Sequence, residues 1–431
     1  MARIVSFFDG WDRTFLDLSS RMSEPFCRNW ELLRFRITAP LDPQKFDNCV
    51  SRAGEIAIRT IIILGVAITG YCSWVKPFWV LGAVGGLAAG SKILRKIGFY
   101  LQPNGYTHVR GNAPEKSSCG ELKIMSWNVC GVGGGLSLNH GGVIHWRSRL
   151  NGIVEQIKRE DPDVLMLQEI YDTALAEALI EKLQKDYAHF FIHLGGNLFG
   201  SVGGGMVLSK CAQHRFFNIS FANNHWSLNR GFAVLEIKKN PQDSLPCLRI
   251  IGTHFIHGDR PEDQLSRNAQ MKQIGDFLAR EAVALPTILC GDLNIERDGK
   301  EGDALAVYLH RGYQGKEPTC TNRLVAQWSE RGKGVWGETI DYISFFKSSF
   351  SYESSISSAD QDFRMQSYTE SDSKIGNRRK GNAKPPQHKL IFEPRAVYHL
   401  IKAFDDSYNT KTALSDHHGI VAVVKINNMS K

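Results

Sequence analysis

The chain has 431 residues, 42% hydrophobic and 22% charged, with Lys+Arg 52 against Asp+Glu 44 and a formal charge of +8. These figures exclude collagenous, coiled-coil and wholly disordered classes, and the length points to two regions rather than one compact domain. The mild positive excess suits an anionic partner, a phospholipid surface or nucleic acid, without choosing between them.

Residues 1–56 form a polar, mixed region with some helical potential. The opening MARIVSFFDGWDRTF lacks the continuous apolar run of a secretory signal. Residues 57–100 change character sharply. Thr60 to Val75 carries no charge, Lys76-Pro77 interrupts, and FWVLGAVGGLAAGS continues from Phe78 to Ser91. Each half is shorter than the roughly 20 apolar residues a spanning helix needs. A Lys-Pro pair suits a turn, so the pattern predicts a helical hydrophobic hairpin that dips into a bilayer or barely crosses it. Arg52 and Arg59 on one side, and Lys92, Arg95 and Lys96 on the other, hold both ends on the cytoplasmic face. Small residues such as Gly82, Gly85, Gly86 and Gly90 allow close helix packing.

Residues 101–120, rich in Pro, Gly, Asn and Ser, read as a linker. From 121 to 431 short β-rich runs alternate with amphipathic helices. Strands are predicted at 122–129, 163–170, GGGMVLSK, GFAVLEIK, LRIIGTHF, PTILCGDLN, TIDYISFF and GIVAVVKI, and helices at 147–160, 173–185 and 264–280. Interleaved helices with hairpin-spaced strands argue for a layered α/β fold with two sheets rather than a doubly wound one. A stretch at about 347–395, including NRRKGNAKPPQHK, is rich in Ser, Asp, Lys and Gln and reads as a flexible insertion. The glycine-rich run 131–142 has no surrounding dinucleotide pattern and is not read as a phosphate loop.

The nine cysteines are scattered, odd in number and never in a CxxC spacing. That argues against a zinc cluster and against a disulfide framework and fits a reducing compartment.

The chemistry gathers at the ends of predicted strands: Asn128 in SWNV, Glu169 in LQEI, His254 in GTHF, Asp292 and Asn294 in GDLN, Asp341 in TIDYI, and Asp416 and His417 in LSDHHG. One strand-end Glu is usually a surface cap, and one His usually a satisfied structural residue. Six polar strand ends in one region are a pattern, because apolar strands gain nothing by ending so regularly in an amide or acid. Oxygen ligands such as Glu169, Asp292, Asp416 and Asn128 suit Mg²⁺ or Mn²⁺ rather than a zinc site of His and Cys. A histidine beside an aspartate suits a general base, and together the set is what hydrolysis of a phosphoester by activated water requires.

In order and spacing, WNV, QE, TH, GDLN, IDYI and SDHHG resemble the motif series of the endonuclease/exonuclease/phosphatase superfamily, which includes DNase I-like nucleases, abasic-site endonucleases, inositol-polyphosphate phosphatases and neutral sphingomyelinases. The resemblance implies a four-layered α/β sandwich over 121–431, with a Mg²⁺ cofactor. It implies Glu169 as principal metal ligand with Asn128 and Asp416 close by, His417 as general base oriented by Asp341, Asp292 and Asn294 positioning nucleophile and phosphate, and His254 donating to a phosphoryl oxygen. GGGMVLSK, NRGFAVLEI and the helix after the TH motif are similar to the neutral sphingomyelinase branch, as is an N-terminal pair of hydrophobic segments ahead of the catalytic region. The expectation is a membrane-associated, metal-dependent phosphodiesterase cleaving sphingomyelin to ceramide and phosphocholine, its catalytic region in a reducing, cytoplasmic compartment. The rivals are a nuclease using the same machinery on DNA or RNA, a phosphatase of inositol phosphates, and a membrane-anchored scaffold.

Overall fold

The central strands form where the sequence carries apolar runs, as in VLMLQ and TILCGD, and their polar ends fall together at one rim. The structure, a computed structural model, describes residues 77–102, 104–131, 146–195, 202–223, 229–281, 285–310, 318–321, 337–346, 388–391, 404–405 and 412–428, with short pieces between 13 and 64. In chain order these are α1 (Pro77–Leu101), β1 (Thr107–Arg110), β2 (Glu121–Asn128), α2 (Trp146–Glu160), β3 (Val164–Gln168), α3 (Thr173–Leu183), β4 (His189–Ile192), β5 (Met206–Ser209), β6 (Gln213–Ser220), β7 (Gly231–Ile237), β8 (Leu248–His254), α4 (Pro261–Arg280), β9 (Thr287–Asp292), α5 (Lys300–Leu305), β10 (Cys320–Thr321), β11 (Gly337–Glu338), β12 (Asp341–Phe345), β13 (His388–Ile391), β14 (Phe404–Asp405), β15 (Thr412–Ala413) and β16 (Ile420–Asn428).

A seven-stranded sheet runs β1-β4-β5-β3-β2-β16-β13 and a five-stranded one β12-β9-β8-β7-β6. Among the described strands, β2 with β3 and β8 with β9 are the pairs that run parallel. Those are the two places where a helix, α2 or α4, supplies the crossover that parallel strands require.

Side chains alternate across each sheet with the strand period of two. Ile124 and Val164 from one sheet therefore meet Leu235, Ile250 and Ile288 from the other in a shared core. On the outer face of the larger sheet, Met125, Trp127 and Leu165 pack under Ile153 of α2 and Leu179 of α3. On the outer face of the smaller, Val234, Ile251 and Leu289 pack under Ile274 and Phe277 of α4. The mixed α/β arrangement is thus helices, sheet, sheet, helices. Two glycines allow close approach: a Cβ on Gly252 would lie 2.6 Å from Met166 Sδ of the facing sheet. At Gly291 it would lie 1.9 Å from the Thr253 carbonyl oxygen, with φ at +144°.

The expected hairpin over 57–100 is not what the described residues form. Pro77 begins a helix rather than breaking one, since at the first helical position its missing N–H is not needed. The result is one continuous 25-residue helix. Its glycines and the charges of Lys92, Arg95 and Lys96 dilute the apolar run, and no described helix is long and apolar enough to cross a membrane. The segment 65–76 lies outside the described residues. The last turns of α1 dock on the body of the protein instead. Ser91 and Ser19 exchange hydrogen bonds at 2.8 Å, Phe99 packs with Leu16 and Val202, and Arg95 donates to the Tyr171 carbonyl at 3.2 Å.

Most of the expected insertion, and the glycine-rich run beyond Gly131, also lie outside the described residues. Of the insertion, 388–391 is the strand β13, paired to β16. Helix α4 starts at Pro261, three residues before the expected boundary, because Pro again sits at the first turn.

Gly291→Ala should lower stability by about 2–4 kcal/mol, combining backbone strain with a clash against unyielding backbone. An unchanged urea midpoint would refute the required close approach.

Candidate active site

Parallel pairing places the C-terminal ends of adjacent strands at one level. Asn128 pairs across from Gln168 in β2 and β3, and His254 across from Asp292 in β8 and β9. Antiparallel β12 begins opposite the end of β9, so Asp341 is the register partner of Asp292. The 415–418 turn arrives just before β16, whose Ile420 pairs with Ser126 of β2. Every acid, amide and histidine singled out from the sequence therefore comes to one rim shared by the two sheets.

The centre of the site is Asn128. Its Nδ2 donates to Glu169 Oε1 at 3.2 Å and to Asp292 Oδ2 at 3.0 Å, and lies 3.5 Å from His417 Nε2. Its Oδ1 accepts from the Cys130 amide at 3.0 Å, so the side chain presents its NH₂ group, not its oxygen, to the carboxylates. Asp341 Oδ2 holds His417 Nδ1 at 2.9 Å, both groups buried. The other ring nitrogen of His417 turns to the centre, 3.8 Å from Asp292 Oδ2. His254 Nε2 lies 3.5 Å from the same oxygen. Asn294 is anchored through its amide N–H to Asp292 Oδ1 at 2.9 Å and its Nδ2 to the Phe255 carbonyl at 3.1 Å.

Three residues of this rim hold left-handed backbone without being glycine: Glu169 at φ +66°, Asn294 at +50° and Cys130 at +47°. Such conformations persist only where surrounding contacts determine them. Hydrogen bonds to the neighbouring backbone hold this rim. Ser415 Oγ donates to the Asn128 carbonyl at 2.6 Å and accepts from the His417 amide at 3.1 Å, while Trp127 Nε1 donates to the His417 carbonyl at 3.1 Å. Thr319 Oγ1 accepts the amides of Ile340 and Asp341, both at 3.1 Å. The buried Arg149 of α2 donates to the carbonyls of Val129, Cys130 and Leu414.

Burial raises Glu169 above the ordinary carboxylate range, and the neighbouring Asp416 raises it further. Burial pushes Asp292 up to about 7, partly offset by His417. Burial opposes protonation of His417, yet the negative field of Cys320, Asp341 and Asp292 outweighs it and lifts the ring well above 6.5. The Cys320 contribution falls away near neutrality, because burial takes that thiol to about 11. Burial and the adjacent Arg230 hold His254 well below 6.5 and hence neutral.

Two groupings here have the character of a cation site. Asp292, Asp341 and His417 bring a ligand atom each within 4.8 Å of one another. Asp341 Oδ2 is already engaged by His417 Nδ1, however, so that triple reads as an acid–base pair with a neighbouring carboxylate. Glu169 and Asp416 fit better: both are half-buried at the mouth, and their mutual repulsion is what a divalent ion with oxygen ligands relieves. The donor set is hard oxygen, which suits Mg²⁺ or Mn²⁺.

Sequence reading missed Arg230, whose guanidinium donates to the Tyr171 hydroxyl at 3.2 Å and to the Phe255 carbonyl. It precedes β7, and the strand-end logic applied to strand starts would have found it. Thr319 and Arg149 carried no such signal, since they act on backbone groups far away in the chain.

Residues 125–417 match the model of the Endonuclease/Exonuclease/phosphatase family. The chain is similar to Sphingomyelinase C of Bacillus cereus, 27% identical over 255 residues that cover 52% of this chain and 74% of the relative. It is also similar to Phospholipase C of Staphylococcus aureus, 28% identical over 214 residues, covering 44% and 62% respectively. Among solved structures, the beta toxin of Staphylococcus aureus aligns with a TM-score of 0.48 at 21% identity, over 70% of this chain and 99% of that one.

The raised carboxylates link protons to stability. Each binds a proton when folded that it would release when unfolded, so their contribution is complete below about pH 4. It is lost as pH rises through the Asp292 value of about 7. In the absence of divalent ions the melting temperature should fall across that window, and Asp292→Asn should flatten the fall. Added Mg²⁺ should raise the melting temperature more at high pH than at low, since protons and the ion compete for the same oxygens. An equally steep fall in Asp292→Asn would remove that carboxylate as the cause.

Proposed function

This chain belongs to the endonuclease/exonuclease/phosphatase family and is a metal-dependent phosphoric diester hydrolase, and within that family we propose that it cleaves a phospholipid headgroup, sphingomyelin to ceramide and phosphocholine. The observation that carries the reading is the buried His417–Asp341 pair at 2.9 Å beside Glu169, Asp292 and Asp416. The named relatives, a sphingomyelinase C and a phospholipase C, favour a lipid over a nucleic acid.

In this reading Glu169 and Asp416 hold Mg²⁺, and the Asn128 NH₂ group keeps Glu169 and Asp292 in place beside it. When bound, the ion neutralises charge on the phosphoryl oxygens. Asp292 and Asn294 orient water and phosphate. His417 takes a proton from that water through Nε2, while Asp341 fixes its Nδ1–H and stabilises the imidazolium. Water oxygen bonds to phosphorus as the bond from phosphorus to the ceramide oxygen breaks, and the proton passes to that leaving oxygen. His254, neutral and facing Asp292, donates to a phosphoryl oxygen.

Membrane association is part of the proposal. Beyond its docked face, α1 exposes Ile93 (58%), Ile97 (38%) and Tyr100 (77%) along one side, beside exposed Lys92 and Lys96. An apolar stripe flanked by lysines suits an anionic lipid interface, where a tethered enzyme meets a high local concentration of substrate. The six described cysteines are free, in keeping with a cytoplasmic, reducing location.

Purified protein with Mg²⁺ should release phosphocholine from sphingomyelin vesicles, lose this with EDTA, and leave plasmid and single-stranded DNA intact. His417→Ala and Glu169→Ala should each abolish release while leaving the far-ultraviolet circular dichroism unchanged. Nicked DNA with untouched lipid would keep the machinery and move the chain to the nuclease reading.

A second expectation concerns pH. Activity needs His417 neutral, so its raised affinity for protons places the rising limb of the rate profile above that of an ordinary histidine. Asp341→Asn removes a charge that raises it. The limb should move to lower pH while kcat falls by about a thousandfold. A limb that stays in place would take Asp341 out of this role.

A further inference from the structure

Against His254 lies a cavity of about 30 Å³ between the two sheets. Its walls include Gln168, Asn218, Gly231, Ala233 and His254. The volume suffices for about two water molecules. Its position follows from the sheet geometry. Gly252 and Met166 mark a close approach of β8 and β3, and His254 and Gln168 each come two residues later, on the same faces as those two.

Two buried polar atoms at this cavity have no partner among the described residues: Gln168 Oε1 and His254 Nδ1. The orientation of the Gln168 amide is determined. Its Nε2 donates to Ser126 Oγ at 3.1 Å and to the Met166 carbonyl at 3.2 Å, which leaves the oxygen as the unsatisfied end. The neutral His254 ring carries one N–H. If that hydrogen is on Nε2, 3.5 Å from Asp292 Oδ2, it faces the reacting centre and Nδ1 is left as a buried acceptor. Two buried acceptors without a donor are costly, and water is a small molecule with two O–H donors.

We propose that an ordered water in this cavity donates one O–H to His254 Nδ1 and the other to Gln168 Oε1, locking His254 in the tautomer whose Nε2–H faces the phosphate. Gln168 is thereby a positioning residue, acting through the water and never touching substrate. This rests on the proposed role of His254 as donor to a phosphoryl oxygen. It also gives the glutamine beside Glu169 a task distinct from that of the acid.

The test is nitrogen-15 NMR of the histidine side chains in the full-length protein with Mg²⁺, the His254 signals assigned by their loss in His254→Gln. Wild type should show only the Nε2–H tautomer. Gln168→Met removes the acceptor, and Ala233→Val fills the cavity while leaving the Gln168 hydrogen bonds in place. In both, an Nδ1–H population should appear, and kcat on sphingomyelin vesicles should fall by roughly tenfold to a hundredfold with KM little changed. An Nδ1–H tautomer in wild type overturns the proposal whether or not either variant folds. So does a folded variant that keeps the wild-type tautomer. If the tautomer behaves as expected but wild type releases no phosphocholine, the water site stands and the lipid reading fails.

Discussion

The amide of Asn128 is the tie on which the site depends. It belongs to one sheet, yet one of its hydrogens reaches Glu169 of that sheet while the other reaches Asp292 of the opposite sheet. Without that donor the two carboxylates would lose their shared hydrogen-bond partner. Of the described side-chain hydrogen bonds at this centre, the rims of the sheets would keep only the His417–Asp341 bridge. The Cys130 amide holds the other end of the side chain, so the NH₂ group has nowhere else to turn. The left-handed backbone at Cys130 and Glu169 is the local strain that accompanies this arrangement.

From that tie the electrostatics follow. The acids of the rim sit too close and too far from water to be comfortable as anions, and the directions of their shifts say so: Glu169 up, Asp292 up to about 7. The two histidines diverge for the opposite reason. His417 leans on Asp341 and Asp292 and holds its proton tightly, whereas His254 is buried beside Arg230 and gives it up. One rim therefore carries a histidine suited to accept a proton and another suited to stay neutral and donate a hydrogen bond, with environment alone distinguishing them.

Much of this was legible in the sequence because strands have a short period and few reasons to end in a polar residue. Asn128, Glu169, His254, Asp292, Asp341 and His417 stood out on those grounds, and register brings them together. What could not be read was the direction in which each group points. That Asn128 offers nitrogen rather than oxygen depends on Cys130, and that Gln168 faces a cavity depends on Gly252 of a different sheet. Thr319 and Arg149 were invisible because their partners are backbone groups brought near only by folding. Around Pro77 the misreading was of another kind. A proline that stops a helix and one that starts it look alike until the following residues are seen to coil.

The position of β16 has a consequence for how the protein comes into being. This last strand lies inside the larger sheet, between β2 and β13, and the turn before it delivers Asp416 and His417. The hydrogen bonds that seat that turn span 290 residues from Trp127 and 287 from Asn128. Contacts of such separation form late. Until they form, Asn128, Glu169 and Asp292 can gather at the rim while Asp416 and His417 remain apart from it. The rim is therefore closed by the same long-range contacts that complete the larger sheet, so that completion of the sheet and completion of the site are one event.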